Sequence, residues 1–293
     1  MADLQGLVPC CSRKGLMDKL VRAMLCVLLM AAGAGAAEAD DPDAVIGVPL
    51  RGEEAEAFLT GAEIVGEPEE FDEAAITGPV RVSLTDGSRT YRAIFKHEET
   101  RYPEFRFSDG REVEDARDSF RHEIAAYRLD RMLGLDIVPP CVERKINSHT
   151  GSLCFWVEGS MTEGERRERG LQPSDPTWYK GQLREIELFQ QFIADLDYSD
   201  LRNLVVDENL RIHKVDSSMA FDPDPNLLTG LYSSRLSQRL IRGLEGLDKK
   251  EINETLKPWL HKDQLSALWE RRKRILKRAE QLIDDYGEER TLY

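Results

Sequence analysis

Apolar positions along this chain change their period partway through it. Residues 80–84 and 90–95 alternate apolar and polar side chains as half-buried strands do, and Asp86-Gly87 between them supplies the pair a tight hairpin needs. The next stretch, 97–118, is crowded with Glu, Arg and Asp and reads as a solvated loop. From Ser119 to Leu133 the period lengthens, with Phe120, Ile124, Tyr127 and Leu129/Met132/Leu133 near helical spacing. Gly134 then stands at a natural C′ position and Pro139-Pro140 forbids continuation. Residues 141–146 and 152–157 form a second hairpin pattern. After a polar segment, 158–176, one helix face is marked by Leu183, Ile186, Phe189/Gln190, Ile193 and Leu196, ending near Asp197. Apolar runs at 204–206 and 212–215 flank the turn Asp207-Glu208-Asn209. Amphipathic helical patterns fill 227–247, 249–260 and 263–286. A β-rich half with one helix, then a helical half with a central hairpin, predicts an α+β protein of two lobes, 62–157 and 158–293. A cleft between lobes is a natural place for a ligand.

Composition narrows the partners. A chain of 293 residues with 41% hydrophobic side chains can bury a real core. Its net charge of -14 excludes nucleic acid as the expected partner, because a phosphate backbone repels it. A nucleotide remains possible if a local Lys and a divalent metal supply positive charge. Arg13, Lys14, Lys19 and Arg22 precede the uncharged stretch 23–37, and Ala34/Ala36 or Ala37/Ala39 offer small-residue cleavage sites. Residues 1–39 therefore read as a signal peptide, leaving an exported protein with no stable membrane span; an uncleaved membrane anchor is the alternative. Residues 40–61 read as an acidic linker with a short helix at 53–59. Of five cysteines, Cys10, Cys11 and Cys26 lie in the leader. Cys141 and Cys154 flank the second hairpin, where an oxidising compartment would let them pair; their register about the turn, which the sequence does not fix, leaves two unpaired thiols as the alternative. No C-x-x-C pair or Cys/His cluster suggests zinc.

Phosphoryl transfer asks for few groups: a Lys on the phosphates, a carboxylate to fix it, oxygen ligands for Mg²⁺ and an acid to orient the nucleophile. Lys96 ends the apolar strand 91–96. Glu123 lies in the first half's helix beside Ala125 and Ala126, which permit close packing against a sheet. A strand Lys paired with a Glu on the next helix is a kinase clamp; an exposed Lys and a solvated Glu are the plain alternative. Asp195-Leu196-Asp197-Tyr198-Ser199-Asp200-Leu201-Arg202-Asn203 joins a helix to an apolar strand, and Asp216 closes the strand after it. Their oxygens suit Mg²⁺. An acid directly after an apolar strand is poorly explained by packing, whereas Asp195 and Asp200 fit caps of helices or turns.

The segment 121–130 (RHEIAAYRLD), continuing to Leu133-Gly134-Leu135 and Val138-Pro139-Pro140, resembles a bacterial protein-kinase-like family. That family is related to phosphatidylinositol 3- and 4-kinases and, more distantly, to HipA-type and secretory-pathway kinases. The resemblance runs from about residue 62 to the C-terminus and includes 269–275 (WERRKRI). It implies a two-lobed protein-kinase-like fold binding ATP and Mg²⁺. Lys96 would hold the nucleotide phosphates and Glu123 would position Lys96. Backbone groups of Trp156 and Val157 in the hinge-like strand 153–159 would contact adenine, and amides at Thr77-Gly78 would cover phosphate. Asn203 and Asp216 would bind Mg²⁺, and Asp197 would act as the catalytic acid. The family's catalytic loop has five positions from Asp to Asn, whereas Asp197 precedes Asn203 by six. Strict spacing puts Tyr198 at the catalytic position; one inserted residue near Asp200 restores Asp197. Tyr cannot serve as a carboxylate base at neutral pH. Two functions follow: an ATP- and Mg²⁺-dependent phosphotransferase acting on a protein, lipid or small hydroxyl acceptor, or an exported pseudokinase that binds a nucleotide or partner without catalysis. A secreted interaction protein with no nucleotide site is the third.

Overall fold

Side-chain alternation builds the first lobe. The structure, a computed structural model, describes residues 45–70, 78–231 and 233–293. The leader, the residues up to 44 and Thr77 lie outside the described residues. Within 45–293, a single compact unit, the first lobe runs α1 (Gly52–Gly61), β1 (Glu63–Glu70), β2 (Val80–Thr85), β3 (Thr90–Lys96), β4 (Glu99–Arg106), β5 (Glu112–Ser119), α2 (Phe120–Leu133), β6 (Cys141–Ile146) and β7 (His149–Phe155). Five of these strands form one antiparallel sheet in the order β1-β2-β3-β7-β6. Val82, Leu84, Ala93, Phe95, Leu153 and Phe155 point to one face, where Ala55, Phe58 and Leu59 of α1 cover them. The Phe58 ring lies 5.2 Å from Tyr91 and 5.8 Å from Phe155. Burying Phe58 and Leu59 contributes about 1.5–3 kcal/mol each, so the stretch read as linker also supplies core. Lys96 points to the other face, toward α2. Cys141 and Cys154, directly opposite each other in β6 and β7, are joined by a disulfide.

The charged stretch 97–118 is a hairpin, β4 against β5, and not a solvated loop. Most of its charges are exposed or half-exposed, Asp118 excepted, while Tyr102, Phe105 and Val113 gather around Phe107 and Ala116 and pack on Leu196 and Met219. Pro103 and the left-handed Asp115 (φ 58°) interrupt the alternation, so no two-residue period is visible in the sequence.

The second lobe runs β8 (Ser160–Thr162), α3 (Glu163–Glu168), α4 (Pro176–Ile193), a 3-10 turn (Leu201–Asn203), β9 (Leu204–Asp207), β10 (Ile212–Lys214), α5 (Gln238–Gly246), α6 (Lys249–Leu256), α7 (Lys262–Tyr286) and α8 (Glu288–Thr291). Helix α2 starts where Ser119 Oγ accepts from Arg121 N at 3.2 Å and stops at left-handed Gly134. Its buried face joins α4, α5, α6 and α7 in one core. The polar segment 158–176 contains β8 and α3, started by a Thr162–Glu165 capping box. Helix is absent from the described residues of 227–237, contrary to the amphipathic pattern. Gln191 explains it: its amide donates to Leu228 O and Leu231 O and accepts from Leu228 N, bonds that replace a helical ladder. Gly230 (φ 108°) breaks the helix there too.

The basic stretch 271–278 is not simply a solvated face. Arg271 is fully buried and donates to Phe192 O at 2.9 Å, Asp222 O at 2.8 Å and Asp224 O at 2.6 Å. Burial pushes its pKa down to about 10, and it still stays charged at neutral pH. One guanidinium thus ties the end of α4 to the segment that follows β10.

Candidate functional site

Three side chains distant in sequence meet where the lobes join. Lys96, at the end of β3, places Nζ 2.9 Å from Glu123 Oε1 and 2.7 Å from Asp216 Oδ1. Lys96 and Glu123 are almost buried, whereas the Asp216 side chain is 42% exposed. Between two carboxylates the Lys96 ammonium is held well above its ordinary pKa despite burial, and it in turn holds Asp216 ionised. Glu123 Oε2 accepts Ser217 N at 3.0 Å, so one carboxylate fixes both the Lys and the backbone after Asp216. Asp216 itself is left-handed (φ 52°), a costly conformation for a non-glycine residue, and its Oδ1 also accepts Ser218 Oγ at 2.9 Å.

Neighbouring bonds lock this turn. His122, one residue before the clamp Glu, lies 2.7 Å through Nδ1 from Ser218 O. Its Nε2 meets the Gln264 amide nitrogen at 2.9 Å, and that nitrogen also donates to Phe221 O at 3.0 Å. An amide nitrogen can only donate, so the imidazole is neutral and Nδ1–H donates to Ser218 O. Burial pushes the His122 pKa down to about 4.

The loop after α4 supplies the second group. Ala194 leaves the helix in a left-handed conformation (φ 46°). Asp195, wholly buried, pairs with buried Lys214 at 3.0 Å, and Lys214 Nζ also donates to Val215 O at 2.7 Å and Asp216 O at 2.6 Å. These three acceptors satisfy the ammonium and anchor the approach to Asp216. Sequence reasoning missed Lys214; a cation within a short apolar strand was its signal. Asp197 Oδ2 accepts Asn203 Nδ2 at 2.9 Å, and its N–H donates to Asp195 Oδ1 at 3.1 Å. Burial first, then the charges of Asp195 and Asp200, push the Asp197 pKa up to about 7. Asp200 caps the 3-10 turn by accepting from Arg202 N at 2.8 Å. Tyr198 directs its hydroxyl to Thr229 O at 2.9 Å. Val215 N donates to Asn203 O at 2.9 Å, which couples this loop to the strand end bearing Asp216.

Of the residues expected to contact adenine and phosphate, Trp156, Val157 and Gly78 lie within the described residues. Trp156 donates its N–H to Arg92 O at 3.0 Å, and its ring lies 5.5 Å from the Arg81 guanidinium and 5.6 Å from that of Arg92. Val157 is buried and its carbonyl accepts Ser160 Oγ at 2.7 Å. Glu158 and Gly47 exchange both backbone hydrogen bonds at 2.8 Å. Gly78 is exposed and left-handed (φ 48°) just before β2.

The donor chemistry fits a hard cation. The Asp216 carboxylate is half exposed. Asn203 commits its amide nitrogen to Asp197, so its amide oxygen faces the other way. Among the described residues no group of three or more His, Cys, Asp or Glu side chains could hold a metal by itself. One carboxylate and one amide oxygen therefore suit Mg²⁺ that arrives with phosphate oxygens.

A β-rich lobe and a helical lobe, with a Lys–Glu–Asp cluster at their junction, form a kinase-like fold. Three solved structures are similar to the chain. Hydra Fam20, solved with sugar, has a TM-score of 0.59 at 16% identity, over 85% of this chain and 95% of that one. The Helicobacter pylori proinflammatory kinase CtkA has a TM-score of 0.48 at 12% identity, over 78% and 98% of the two chains. HipA in its Shewanella oneidensis complex with HipB and operator DNA has a TM-score of 0.33 at 11% identity, over 76% and 68%. No family model matches the chain, and no curated protein matches it in sequence.

Proposed function

We propose that this protein is an ATP- and Mg²⁺-dependent phosphotransferase acting on a hydroxyl of a protein, lipid or small molecule. The observation that carries the reading is the Lys96 ammonium held 2.9 Å from Glu123 and 2.7 Å from Asp216, three residues from three separate elements. Lys96 would bind the phosphates, with Glu123 fixing its direction. Asp216 Oδ and Asn203 Oδ1 would hold Mg²⁺, which supplies charge neutralisation at the phosphate oxygens when bound. Asp197, with a pKa about 7, would orient an acceptor hydroxyl and take its proton as that oxygen attacks the γ-phosphorus, the bond from that phosphorus to the β–γ bridging oxygen breaks and ADP leaves. The Cys141–Cys154 bond supports an oxidising compartment and hence export behind the basic leader.

Calorimetric titration of the protein with ATP, with and without Mg²⁺, tests the site. Asp216→Ala should weaken Mg²⁺-dependent binding by about 100-fold, because a ligating carboxylate supplies several kcal/mol. Equal affinity in the mutant, or wild-type binding indifferent to Mg²⁺, would remove the assigned roles. A pseudokinase is the second reading. It is favoured by Tyr198, whose hydroxyl is given to Thr229 O and so turned away from transfer chemistry. Transfer of labelled γ-phosphate by wild type, lost in Asp197→Asn, would exclude it.

A further inference from the structure

Asp197 sits in an irregular segment between α4 and the 3-10 turn, where Leu196 N donates to Met219 O and Asp200 N to Asp197 O, each at 3.2 Å. Residues 196–199 also lean on the tip of the β4–β5 hairpin. Arg111, just before β5, donates through Nη1 to Leu196 O at 2.8 Å and through Nη2 to Ser199 Oγ at 3.1 Å. Its guanidinium carbon lies 4.2 Å from the centre of the Tyr198 ring and 4.7 Å from that of Phe107. Asp109 Oδ2 closes the latch, accepting Arg111 Nε at 2.6 Å and Ser199 Oγ at 2.6 Å. Beneath it, Phe107, Ala116, Leu196 and Met219 form an apolar cluster separate from the two lobe cores. Arg111 thus grips the residue before Asp197 and the two after it. The loop's own cation, Arg202, is paired with Asp200 and 65% exposed, so the positive charge at 196–199 comes from the hairpin.

The other end of the hairpin bears on the clamp. It begins three residues after Lys96 and ends at Ser119, the cap of the helix that carries Glu123. Phe120 N donates to Glu98 O at 3.3 Å across this root, and Ser119 N donates to Ser218 O at 3.0 Å. One element therefore adjoins the strand of Lys96 and the helix of Glu123 in sequence, and contacts the turn after Asp216 and the segment around Asp197.

We infer that Arg111 is a positioning residue, which from the hairpin tip fixes the backbone on both sides of Asp197 relative to the Lys96–Glu123 clamp. The inference rests on the reading of Asp197 as the acid that orients the acceptor. It is tested with Arg111→Ala, Arg111→Lys and, as a control, Arg101→Ala, whose side chain pairs with Asp115 on the exposed face. The first readout, amide hydrogen exchange without nucleotide, does not depend on activity. Loss of two hydrogen bonds and a ring contact should speed exchange at 196–200 about thirtyfold in Arg111→Ala, with 183–193 unchanged. Arg111→Lys, which keeps the charge but cannot fork to two acceptors, should fall between it and wild type. In the second readout kcat should fall about thirtyfold with Mg²⁺–nucleotide affinity unaltered, because the acid is misplaced while the nucleotide groups are intact. Arg101→Ala should match wild type in both. Unchanged exchange at 196–200 in Arg111→Ala overturns the inference, as does a loosened loop with wild-type kcat. If wild type transfers no phosphate at all, the functional reading falls and the catalytic half of this one with it, while exchange still decides the latch. Should Arg111→Ala not fold, Arg111→Lys carries both readouts.

Discussion

Protonation of His122 gives a stability test that needs no substrate. The imidazole is buried and neutral, with Nδ1–H on Ser218 O and Nε2 accepting from Gln264. Its pKa is about 4 in the fold against an ordinary 6.5. A folded-state pKa below the unfolded one means that the unfolded chain takes up the proton first as pH falls. The stability is fully present above pH 6.5 and is lost as pH falls toward 4. The full window is worth about 3 kcal/mol, and the part between pH 7 and pH 5 about 1.8 kcal/mol. Asp130 and Asp197, both pushed up to about 7, act in the opposite sense and gain native stability as pH falls. His122→Asn separates these contributions, because its amide nitrogen takes the place of Nδ1 toward Ser218 O and does not titrate. Urea unfolding of both proteins, followed by fluorescence of the four tryptophans, should be run at pH 7, 6 and 5. The difference between wild type and His122→Asn should shrink by about 1.8 kcal/mol from pH 7 to pH 5. A difference constant within about 0.5 kcal/mol would refute the neutral buried assignment.

Arg271→Met leaves three carbonyls, one of them that of buried Phe192, without their donor and should cost about 2–4 kcal/mol in urea unfolding; a loss under about 1 kcal/mol would contradict the bonding described. Reducing Cys141–Cys154, a separation of 13 residues, should lower stability by about 3 kcal/mol, read as a drop in Tm with dithiothreitol. An unchanged Tm would show that the bond adds nothing. If Asp197 takes the acceptor proton, kcat should fall about tenfold per pH unit below pH 7, where that carboxyl is protonated. A flat profile from pH 6 to 8 would exclude it from that role.

Much of the first lobe was legible because its signals are local. Ser119, Gly134 and the proline pair set the bounds of α2, and Asp86-Gly87 marked the β2–β3 hairpin. Lys96, Glu123 and Asp216 were readable because each is a charged residue in apolar surroundings, and the fold brings the three into contact. Asn203 and Asp197 pair with each other but join that cluster through a backbone bond. The β4–β5 hairpin was hidden because its stabilising contacts are with residues about ninety positions away, and its own charges outnumber its apolar side chains. Arg271 was hidden for a related reason. Within a basic run, nothing in the sequence shows which guanidinium turns inward, since the three carbonyls it binds come from other parts of the chain.

His122 also bears on how firmly the helix of Glu123 is held. The helix bearing Glu123 is pinned one residue earlier to the turn after Asp216 and to the start of the long C-terminal helix. Rotating that helix outward would strand a buried ring nitrogen, a buried amide and a backbone carbonyl together. The Lys96–Glu123 contact is thus braced from outside, by a histidine and a glutamine that take no part in the ion pair.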